Sequence, residues 1–438
     1  MFDEPLKIDS DIREVLQMHG RLKHSNGELS NPLLLRLEHP RYDYTAMQCH
    51  LTAPGGLTAH HELSAAISQG PANGVIIRSL DYSGFECRLW AIHGHSGNAQ
   101  SVRVYTHWYE MANSSWEHYE LPQKEKLLAT VELSTPGILS DWTITEHSFT
   151  GTIKKTGGEK GKLNWKFSTG SGEALDRYVY EEASIFNSKS TLQIKRPALF
   201  FKLDPKCFES PWDAIKTIKE ETKDICHVLS FCYRRKVDWY DIQFMLTHKD
   251  IKHSGLPLPR CRRVLYKPPD VDRIEPLIDR RHLIKRGLEK LLKTYKTKKN
   301  DIRIESIIPL LASAHSYDSV ETRFFLCQAA LENITNSLVN LSGVSTKNNI
   351  FEKIVFCVQH YHVNTEDIWR KSNFETGLKF ALSRRNRLFH GATVEPNELY
   401  SCLVRLRTLS ERFLIAFLAW PEEKLWPHRD EDLRRLLD

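Results

Sequence analysis

Long apolar runs are missing from this sequence. None of its 438 residues lies in a stretch that approaches the roughly 20 apolar residues of a membrane-spanning helix. The first residues, MFDEPLKIDSDIREV, are acidic and polar, which is not the composition of a secretory signal. Both absences predict a soluble cytoplasmic protein with no membrane partner. The length, with 41% hydrophobic residues, predicts two or three domains with folded cores.

Cysteine is present, but not in the pattern of a disulfide framework. The nine cysteines are an odd number, lie far apart and include no C-x-x-C pair. Two groups that contain cysteine and histidine suggest zinc: Cys49, His50, His60 and His61, and Cys226, His227 and Cys232. Their spacings match no standard zinc site. We therefore predict ordinary buried thiols, with no metal or other cofactor, and keep zinc as the alternative.

Positive charge is in excess and unevenly placed. The net charge is +6, and nine Lys or Arg residues between Asp279 and Asn300 face only two acidic residues. A second basic run consists of Arg384, Arg385 and Arg387. Basic clusters of this kind favour binding to nucleic acid. For the first run, a solvated helix face followed by a linker is an equally good interpretation.

Residues 1–200 are predicted to be rich in β-structure. Short runs of Val, Ile, Thr and aromatic residues alternate there with clusters of turn residues. The clearest runs are 74–77, 101–105, 142–145 and 163–167. We expect an antiparallel sandwich or barrel, and we find no catalytic group of residues in this part of the sequence.

Residues 201–297 are predicted to be a mixed α/β connecting segment. Ser210 and Pro211 are a good N-cap and first residue for a helix. Further elements follow from the same kinds of pattern: strands at 237–245 and 263–266, a helix at 276–295 and a lysine-rich linker at 296–300.

Residues 298–438 are predicted to form a bundle of four or five helices. Apolar residues recur at alternating spacings of four and three from Val320 to Leu341, and again from Leu399 to Trp420. This pattern is typical of antiparallel helix packing. Asp318 and Glu321 resemble a capping box before the first of these helices. Together with the β-rich N-terminal part, the bundle gives an α+β chain.

The most informative segment is SRRNRLFHG, residues 383–391, at the end of a predicted helix over 374–390. At 100° per residue, Arg385 falls at about 20° on the helical wheel, inside the apolar stripe. A guanidinium is costly to bury unpaired, so it either reaches past its neighbours to water or faces a crevice that takes an anion. Asn386 and His390 lie beside it, just before a glycine that can end the helix. The stripe itself is Phe374, Leu378, Leu382 and Phe389.

This segment resembles the motif of the HEPN superfamily, in which an arginine, a polar residue and a histidine stand at a helix end in a small bundle. Arg385-Asn386-Arg387-Leu388-Phe389-His390 matches the common Arg-Asn-x3-His form. The helix that contains Glu321 to Glu332 is similar to the first HEPN helix of ApeA-type proteins. Those are bacterial anti-phage abortive-infection effectors with a β-rich domain before the HEPN bundle.

The resemblance implies a metal-independent endoribonuclease. In HEPN ribonucleases the RNA 2′-OH attacks its own phosphate, leaving a 2′,3′-cyclic phosphate and a 5′-OH end. His390 is then the implied general base or acid. Arg385 is implied to stabilise charge on the pentacoordinate phosphorus, and Asn386 to orient the histidine or hold a phosphate oxygen.

The neighbours of these residues have lesser implied roles. Arg384 and Arg387 are expected to bind the RNA backbone. Glu332 is a candidate partner for an arginine of the motif, although ordinary surface charge is the better interpretation from sequence alone.

The resemblance also implies partners. One histidine per chain offers one acid–base group, and HEPN proteins supply the second by forming a homodimer or a dimer of dimers. RNA of the host or the phage, tRNA included, is the implied substrate of such a toxin. A phage-derived activator is the implied ligand of the β-rich half.

Two other classes of function remain open. In the first, the bundle is a catalytically silent HEPN adaptor that binds RNA or protein. In the second, the bundle serves oligomerisation and the β domain binds a ligand. A histidine and a glycine at a helix end also make a good C-terminal cap without any chemistry.

Overall fold

The molecule is described here from a computed structural model. The described residues are 12–23, 27, 29–40, 47–53, 63, 74–97, 101–119, 127–134, 163–185, 188–245, 257–263, 277, 288–315, 319–344, 349–369, 373–391 and 393–420. The chain divides into two compact units. A β unit comprises Met1–Thr222 and Asp238–Lys267, and a helical unit comprises Lys223–Val237 and Pro268–Asp438. The predicted connecting segment, 201–297, is thus divided between the two units.

Twelve described strands of the β unit form one antiparallel sheet. Strands β1 to β6 occur in the order β3-β2-β1-β4-β5-β6, and β6 pairs again with β3, which closes a six-stranded barrel. The second half of β6 pairs with β12, from which the sheet continues as β11-β7-β10-β9-β8. The strands are β1 Ile12–Lys23, β2 Leu33–Pro40, β3 Met47–Thr52, β4 Val75–Ser79, β5 Phe85–Gly97, β6 Ser101–Asn113, β7 Leu127–Leu133, β8 Leu163–Phe167, β9 Gly170–Ile185, β10 Ser188–Leu203, β11 Trp239–Met245 and β12 Arg260–Arg263.

The barrel strands alternate apolar and polar residues, the pattern of strands with one buried face. In β2 the side chains of Leu33, Leu35 and Leu37 are buried, while the residues between them are more exposed. With a period of two, one face of every strand points inward and fills the barrel. The prediction of a β-rich sandwich or barrel is therefore confirmed as a barrel with a sheet extension. The predicted strand at 142–145 lies outside the described residues.

Seven helices lie within the described part of the chain, and none of them is long and apolar enough to cross a membrane. They are α1 Pro211–Tyr233, α2 Leu288–Lys298, α3 Ile304–Ala314, α4 Val320–Leu341, α5 Ile350–His360, α6 Phe374–Phe389 and α7 Pro396–Phe417.

Helix α1 begins where the sequence predicts. The Ser210 hydroxyl accepts a hydrogen bond from the Asp213 amide at 3.3 Å, which satisfies a donor that the first helical turn leaves without a partner. The first half of α1 belongs to the β unit and the second half to the helical unit. Apolar residues along α1 are buried, among them Ile215, Ile218, Ile225 and Leu229.

The predicted linker at 296–300 is wrong. Buried apolar residues at i, i+3, i+4 and i+7 carry helix α2 through this stretch to Lys298. Lys299 follows directly and pairs with Asp224 at 2.8 Å. Lys299 therefore connects the end of α2 to the second half of α1 within the helical unit. Two further boundaries shift: β12 begins at Arg260, three residues before the predicted strand, and α2 ends at Lys298, three residues after the predicted helix. The predicted residues at 264–266, 276 and 278–287 lie outside the described part.

Helix α4 is the centre of the bundle and packs against α3, α5 and α7. Its predicted seam is buried from Phe324 to Leu338, whereas Leu341 is 51% exposed. The seam of α7 is buried throughout, since all of its predicted members are core residues: Leu399, Leu403, Leu406, Ser410, Phe413, Phe417 and Trp420.

The N-cap of α4 differs from the predicted one. Ser319 accepts a hydrogen bond from the Thr322 amide and donates one to the Glu321 carboxylate at 2.6 Å. Asp318, the predicted cap, lies outside the described residues.

Candidate functional site

Helix α6 carries the predicted motif and ends as predicted. The His390 amide still donates to the Asn386 carbonyl at 3.1 Å, so the helical hydrogen bonding extends to the histidine. Gly391 then has φ +73°, the left-handed conformation that glycine adopts without the penalty paid by other residues. The glycine therefore fixes the histidine at the helix terminus.

The buried face of α6 is narrower than the predicted apolar stripe. Leu378 and Ala381 are buried, Phe374 and Leu382 are half-buried, and Phe389 is 64% exposed. The helix is thus anchored in the bundle by its first half. Its last two turns, which hold the motif, are accessible from solvent.

Arg385 lies on the same face as the buried residues and has a carboxylate partner. Its Nη2 is 3.2 Å from Glu332 Oε1 on α4, and its side chain is 34% exposed. Gln328 donates to the same Glu332 oxygen at 3.2 Å. Of the two interpretations of Glu332, the structure has the pairing with an arginine of the motif, since its carboxylate on α4 reaches the Arg385 guanidinium on α6.

Aromatic rings complete the surroundings of Arg385. Its guanidinium carbon lies 5.2 Å from the centre of the Phe389 ring, and Phe389 contacts Phe325 with ring centres 5.0 Å apart. A planar guanidinium is attracted to the face of an aromatic ring. Glu332 and Phe389 together limit the directions that the Arg385 fork can take.

Arg384 and Arg387 have different environments. Arg384 pairs with Glu398 on α7, lies 3.9 Å above the Phe380 ring and is only 13% exposed. This ion pair connects α6 to α7. Arg387 is exposed, and a guanidinium nitrogen donates to the Thr393 carbonyl at 3.4 Å. Of the two arginines that the resemblance implies as RNA-backbone ligands, Arg387 is therefore the more exposed.

A cleft of about 420 Å³ opens between the start of α5 and the second half of α6. Arg385 and Asn386 both line it, so the structure brings these two predicted site residues together. His390 is exposed at the end of α6 and is not among the lining residues, which are Asn349, Ile350, Phe351, Lys379, Leu382, Ser383, Arg385 and Asn386.

Lys379 is the site residue that the sequence analysis missed. It lies at i−7 from Asn386 and i−11 from His390, which places all three on one side of the helix. The spacing was visible in the sequence. What the sequence did not reveal was the cleft, because the start of α5 that forms its other wall is about 30 residues away along the chain.

The candidate zinc residues have other surroundings. Cys49 is buried in the barrel, and Cys226 and Cys232 are buried on α1. Burial raises the pKa of the Cys49 and Cys232 thiols, which disfavours the thiolate that a metal needs. His227 Nδ1 is 2.7 Å from the Tyr295 hydroxyl. His60 and His61 lie outside the described residues, and no group of three His, Cys, Asp or Glu within the described part could hold a metal.

No protein-family model, curated protein or solved structure matches this chain. The likeness to HEPN proteins therefore depends on the residues of the motif and of helix α4.

Proposed function

We propose that this chain is a metal-independent endoribonuclease of the HEPN type that acts in anti-phage defence. The observation that carries the proposal is the accessible end of α6. There, Arg385 is oriented by Glu332 at 3.2 Å, shares a cleft with Asn386, and is followed by an exposed histidine at the helix terminus. A fixed cation, an amide and an imidazole on one short segment suit chemistry on a phosphodiester.

The reaction is an internal transfer. A base removes the proton of the ribose 2′-OH, the 2′ oxygen bonds to the adjacent phosphorus, and the bond from phosphorus to the 5′ oxygen breaks. An acid returns a proton to that 5′ oxygen, which leaves a 2′,3′-cyclic phosphate and a 5′-OH. The nucleophile belongs to the substrate, so positioning provides much of the rate.

Each residue has a role that its environment allows. His390 is exposed and takes or gives the proton. Arg385 has five N–H donors, and Glu332 engages only part of the fork, so the remainder is available to phosphate oxygens. Asn386 donates its amide to the same phosphate or orients the histidine.

The reaction needs both an acid and a base, and one chain supplies a single histidine at this site. We propose that a second copy of the chain provides the other, in a homodimer or a dimer of dimers. The exposed Phe389 beside Arg385 is an apolar surface suited to such a contact. The same surface would serve a catalytically silent adaptor, which is the alternative.

The β unit is proposed to restrain the nuclease until a phage-derived activator binds. Such control requires the activator to bind the active and inactive states with different affinities. The substrate would be host or phage RNA, tRNA among them.

The test compares full-length wild-type protein with His390→Ala in the presence of a chelator, with phage lysate added to both as the source of the activator and lysate alone as the background. Wild type should cut single-stranded RNA and leave 2′,3′-cyclic phosphate ends, and His390→Ala should cut at least about a hundredfold more slowly, the usual contribution of an acid–base group.

The matched control is His360→Ala, since His360 is also an exposed histidine in the last turn of a bundle helix. It should retain wild-type activity. Equal rates for His390→Ala and wild type would refute the catalytic role. RNA binding without cleavage in every chain, with a phage lysate added, would establish the adaptor instead.

A further inference from the structure

One side of α6 carries a line of polar residues that the proposed mechanism uses only in part. At 100° per residue, Lys379, Asn386 and His390 fall within an arc of about 40°. Ser383 lies close to the same arc, but its hydroxyl donates to the Phe380 carbonyl at 2.7 Å and has no proton left for a ligand. The available donors of this line are thus the lysine, the amide and the histidine.

The line is longer than one nucleotide. Eleven residues at 1.5 Å per residue separate Lys379 from His390 by about 16 Å. A stacked nucleic-acid strand carries one phosphate per about 3.4 Å of its length, and an unstacked strand carries fewer. A strand with its scissile phosphate near His390 therefore has a further phosphate within reach of Lys379.

Lys379 is free enough to take part. Its side chain is 63% exposed, and its carboxylate neighbour, Glu375, is 4.0 Å away and equally exposed. Such a surface pair is worth little, so an RNA phosphate can replace it. The lysine nitrogen lies 4.7 Å from the centre of the Phe351 ring, which keeps it over the cleft.

The cleft beside Lys379 is suited to the rest of a nucleotide. Its volume, about 420 Å³, is within the range of small-molecule sites. Ile350, Phe351 and Leu382 supply apolar surface in its walls, while the lysine and Asn386 supply donors. The α5 wall, with Ile350 and Phe351, can thus cover a base, and the α6 wall, with Lys379 and Asn386, can bind its phosphate.

We propose that Lys379 and this cleft form a substrate subsite for a nucleotide several positions away from the cleaved bond in single-stranded RNA. The substrate then lies along α6, with Asn386 between the subsite and His390. This inference rests on the proposed nuclease function, because that function places the scissile phosphate at the helix end.

The first experiment measures binding without cleavage. Fluorescence anisotropy is recorded with full-length protein and a single-stranded 2′-O-methyl RNA of about 12 nucleotides, within the site sizes of single-strand-binding proteins. The 2′-O-methyl group removes the nucleophile, so cleavage cannot interfere. Lys379→Gln should weaken binding about fivefold and reduce the slope of log K against log salt by about 0.7, the value for one phosphate contact.

Matched variants make the result specific. Lys379→Arg keeps the charge and should bind like wild type. Lys216→Gln removes the same charge from an exposed position on α1 and should also bind like wild type. A dinucleotide is too short to reach the subsite, so Lys379→Gln should not alter its affinity. Equal binding by Lys379→Gln and Lys216→Gln would overturn the subsite.

Cleavage of unmodified RNA separates this inference from the proposed function. Lys379→Gln should raise KM about fivefold for long substrates and leave kcat unchanged, because the lysine binds substrate away from the reacting atoms. RNA cutting by wild type with no change in Lys379→Gln would refute the subsite alone. Weaker binding in Lys379→Gln with no cutting by any chain would refute the nuclease and leave an RNA-binding surface.

Discussion

At the scale of single residues, Arg385 shows how a charge is kept within an apolar surface. The arginine lies on the anchoring face of α6, where an unpaired guanidinium would be costly. The Glu332 carboxylate, 3.2 Å from the guanidinium, offsets that cost, and Gln328 donates a hydrogen bond to the same carboxylate. A network of this kind fixes the direction of the guanidinium fork. Glu332 is therefore a positioning residue of the proposed site.

Glu332→Gln should lower kcat by about ten- to a hundredfold, because an arginine displaced by about 1 Å loses much of its effect on the transition state. KM should change less than kcat, since Lys379 and Arg387 can still bind the RNA. The measurement is steady-state cleavage of a short RNA. Glu352→Gln, a change at an exposed glutamate on α5, should have no effect.

Faster cleavage in Glu332→Gln would contradict this prediction. It would show that the carboxylate restrains the arginine, and that release of the pair belongs to activation of the enzyme.

At the scale of elements, α6 is held in place by close packing at one glycine. A Cβ atom at Gly377 would lie 2.2 Å from the Trp369 ring, which is only 4% exposed. Real Cβ contacts are not this short, so the glycine allows the helix to approach the segment that precedes it. The approach sets the depth at which the motif helix lies in the bundle.

Gly377→Ala should destabilise the bundle. The gain in helix propensity is about 1 kcal/mol, whereas forcing the ring aside costs about 1–3 kcal/mol and also shifts the helix. We expect Tm to fall by several degrees and RNA cleavage to fall with it. Thr376→Ala, at the exposed neighbouring position, should leave Tm equal or higher. A Tm in Gly377→Ala above that of wild type would contradict the close packing.

Helices α1, α3 and α7 of the helical unit are joined by buried charges. Arg234, just after α1, binds Glu411 on α7 through two hydrogen bonds at 2.8 and 2.6 Å. His315, at the end of α3, lies 3.8 Å from the same carboxylate. Burial lowers the pKa of His315 to about 4. Burial alone would raise the pKa of Glu411, but the charges of Arg234 and Arg407 and the contacts with Arg234 and His315 together outweigh burial, and the pKa is lowered.

These shifts predict acid sensitivity. Between pH 6.5 and pH 4 the unfolded chain binds a proton at His315 that the folded chain does not bind, so stability falls as the pH falls through this window. The loss from this group is about 3 kcal/mol. Protonation of Glu411 removes further stability at still lower pH, below its usual pKa.

Urea unfolding across this range is the measurement, and His315→Gln is the comparison. The variant has no imidazole to protonate, so its free energy of unfolding should depend less on pH between 6.5 and 4 than that of wild type. Parallel curves for the two proteins would show that His315 does not contribute.

At the scale of the whole molecule, the helical unit is discontinuous in sequence. It includes Lys223–Val237, the second half of α1 with the turn that follows. Within that stretch, Arg234 binds Glu411, and the Phe231 ring lies against the Trp420 ring with ring centres 5.4 Å apart. The predicted nuclease domain at 298–438 lacks this stretch.

A fragment of residues 298–438 should therefore fail to fold cooperatively. Removing Arg234 leaves the buried Glu411 carboxylate without the cation that binds it through two hydrogen bonds, which costs about 3–5 kcal/mol, a large part of the stability of a domain. Circular dichroism on heating should show no sharp transition. A peptide of residues 211–237, added in trans, should restore part of it.

A sharp thermal transition of the fragment by itself would show that the α1 segment is dispensable. Because we expect the fragment not to fold, control by the β unit is tested in the full chain, by adding phage lysate to the wild-type protein.

Local patterns in the sequence determined much of this protein. The period-two strands of β4, β6 and β8, the N-cap at Ser210 and the four–three seams of α4 and α7 were all predicted, because each depends on neighbours within a few residues. The extent of the motif helix and its glycine stop were predicted for the same reason. Arg385, Asn386 and His390 were chosen from their place at the end of a predicted helix, from the position of Arg385 in the apolar stripe and from the resemblance to the HEPN motif.

Tertiary structure decided what depends on distant partners. Closure of the barrel requires β3 to pair with β6, about 50 residues further along the chain. Three features of the site each depend on two separate helices. They are the Arg385–Glu332 pair, the Arg384–Glu398 pair and the cleft beside Lys379. Helix α2 extends to Lys298, where the lysine nitrogen contacts the carbonyl and the ring of Phe417 on α7. Such contacts arise from packing, which no local pattern encodes.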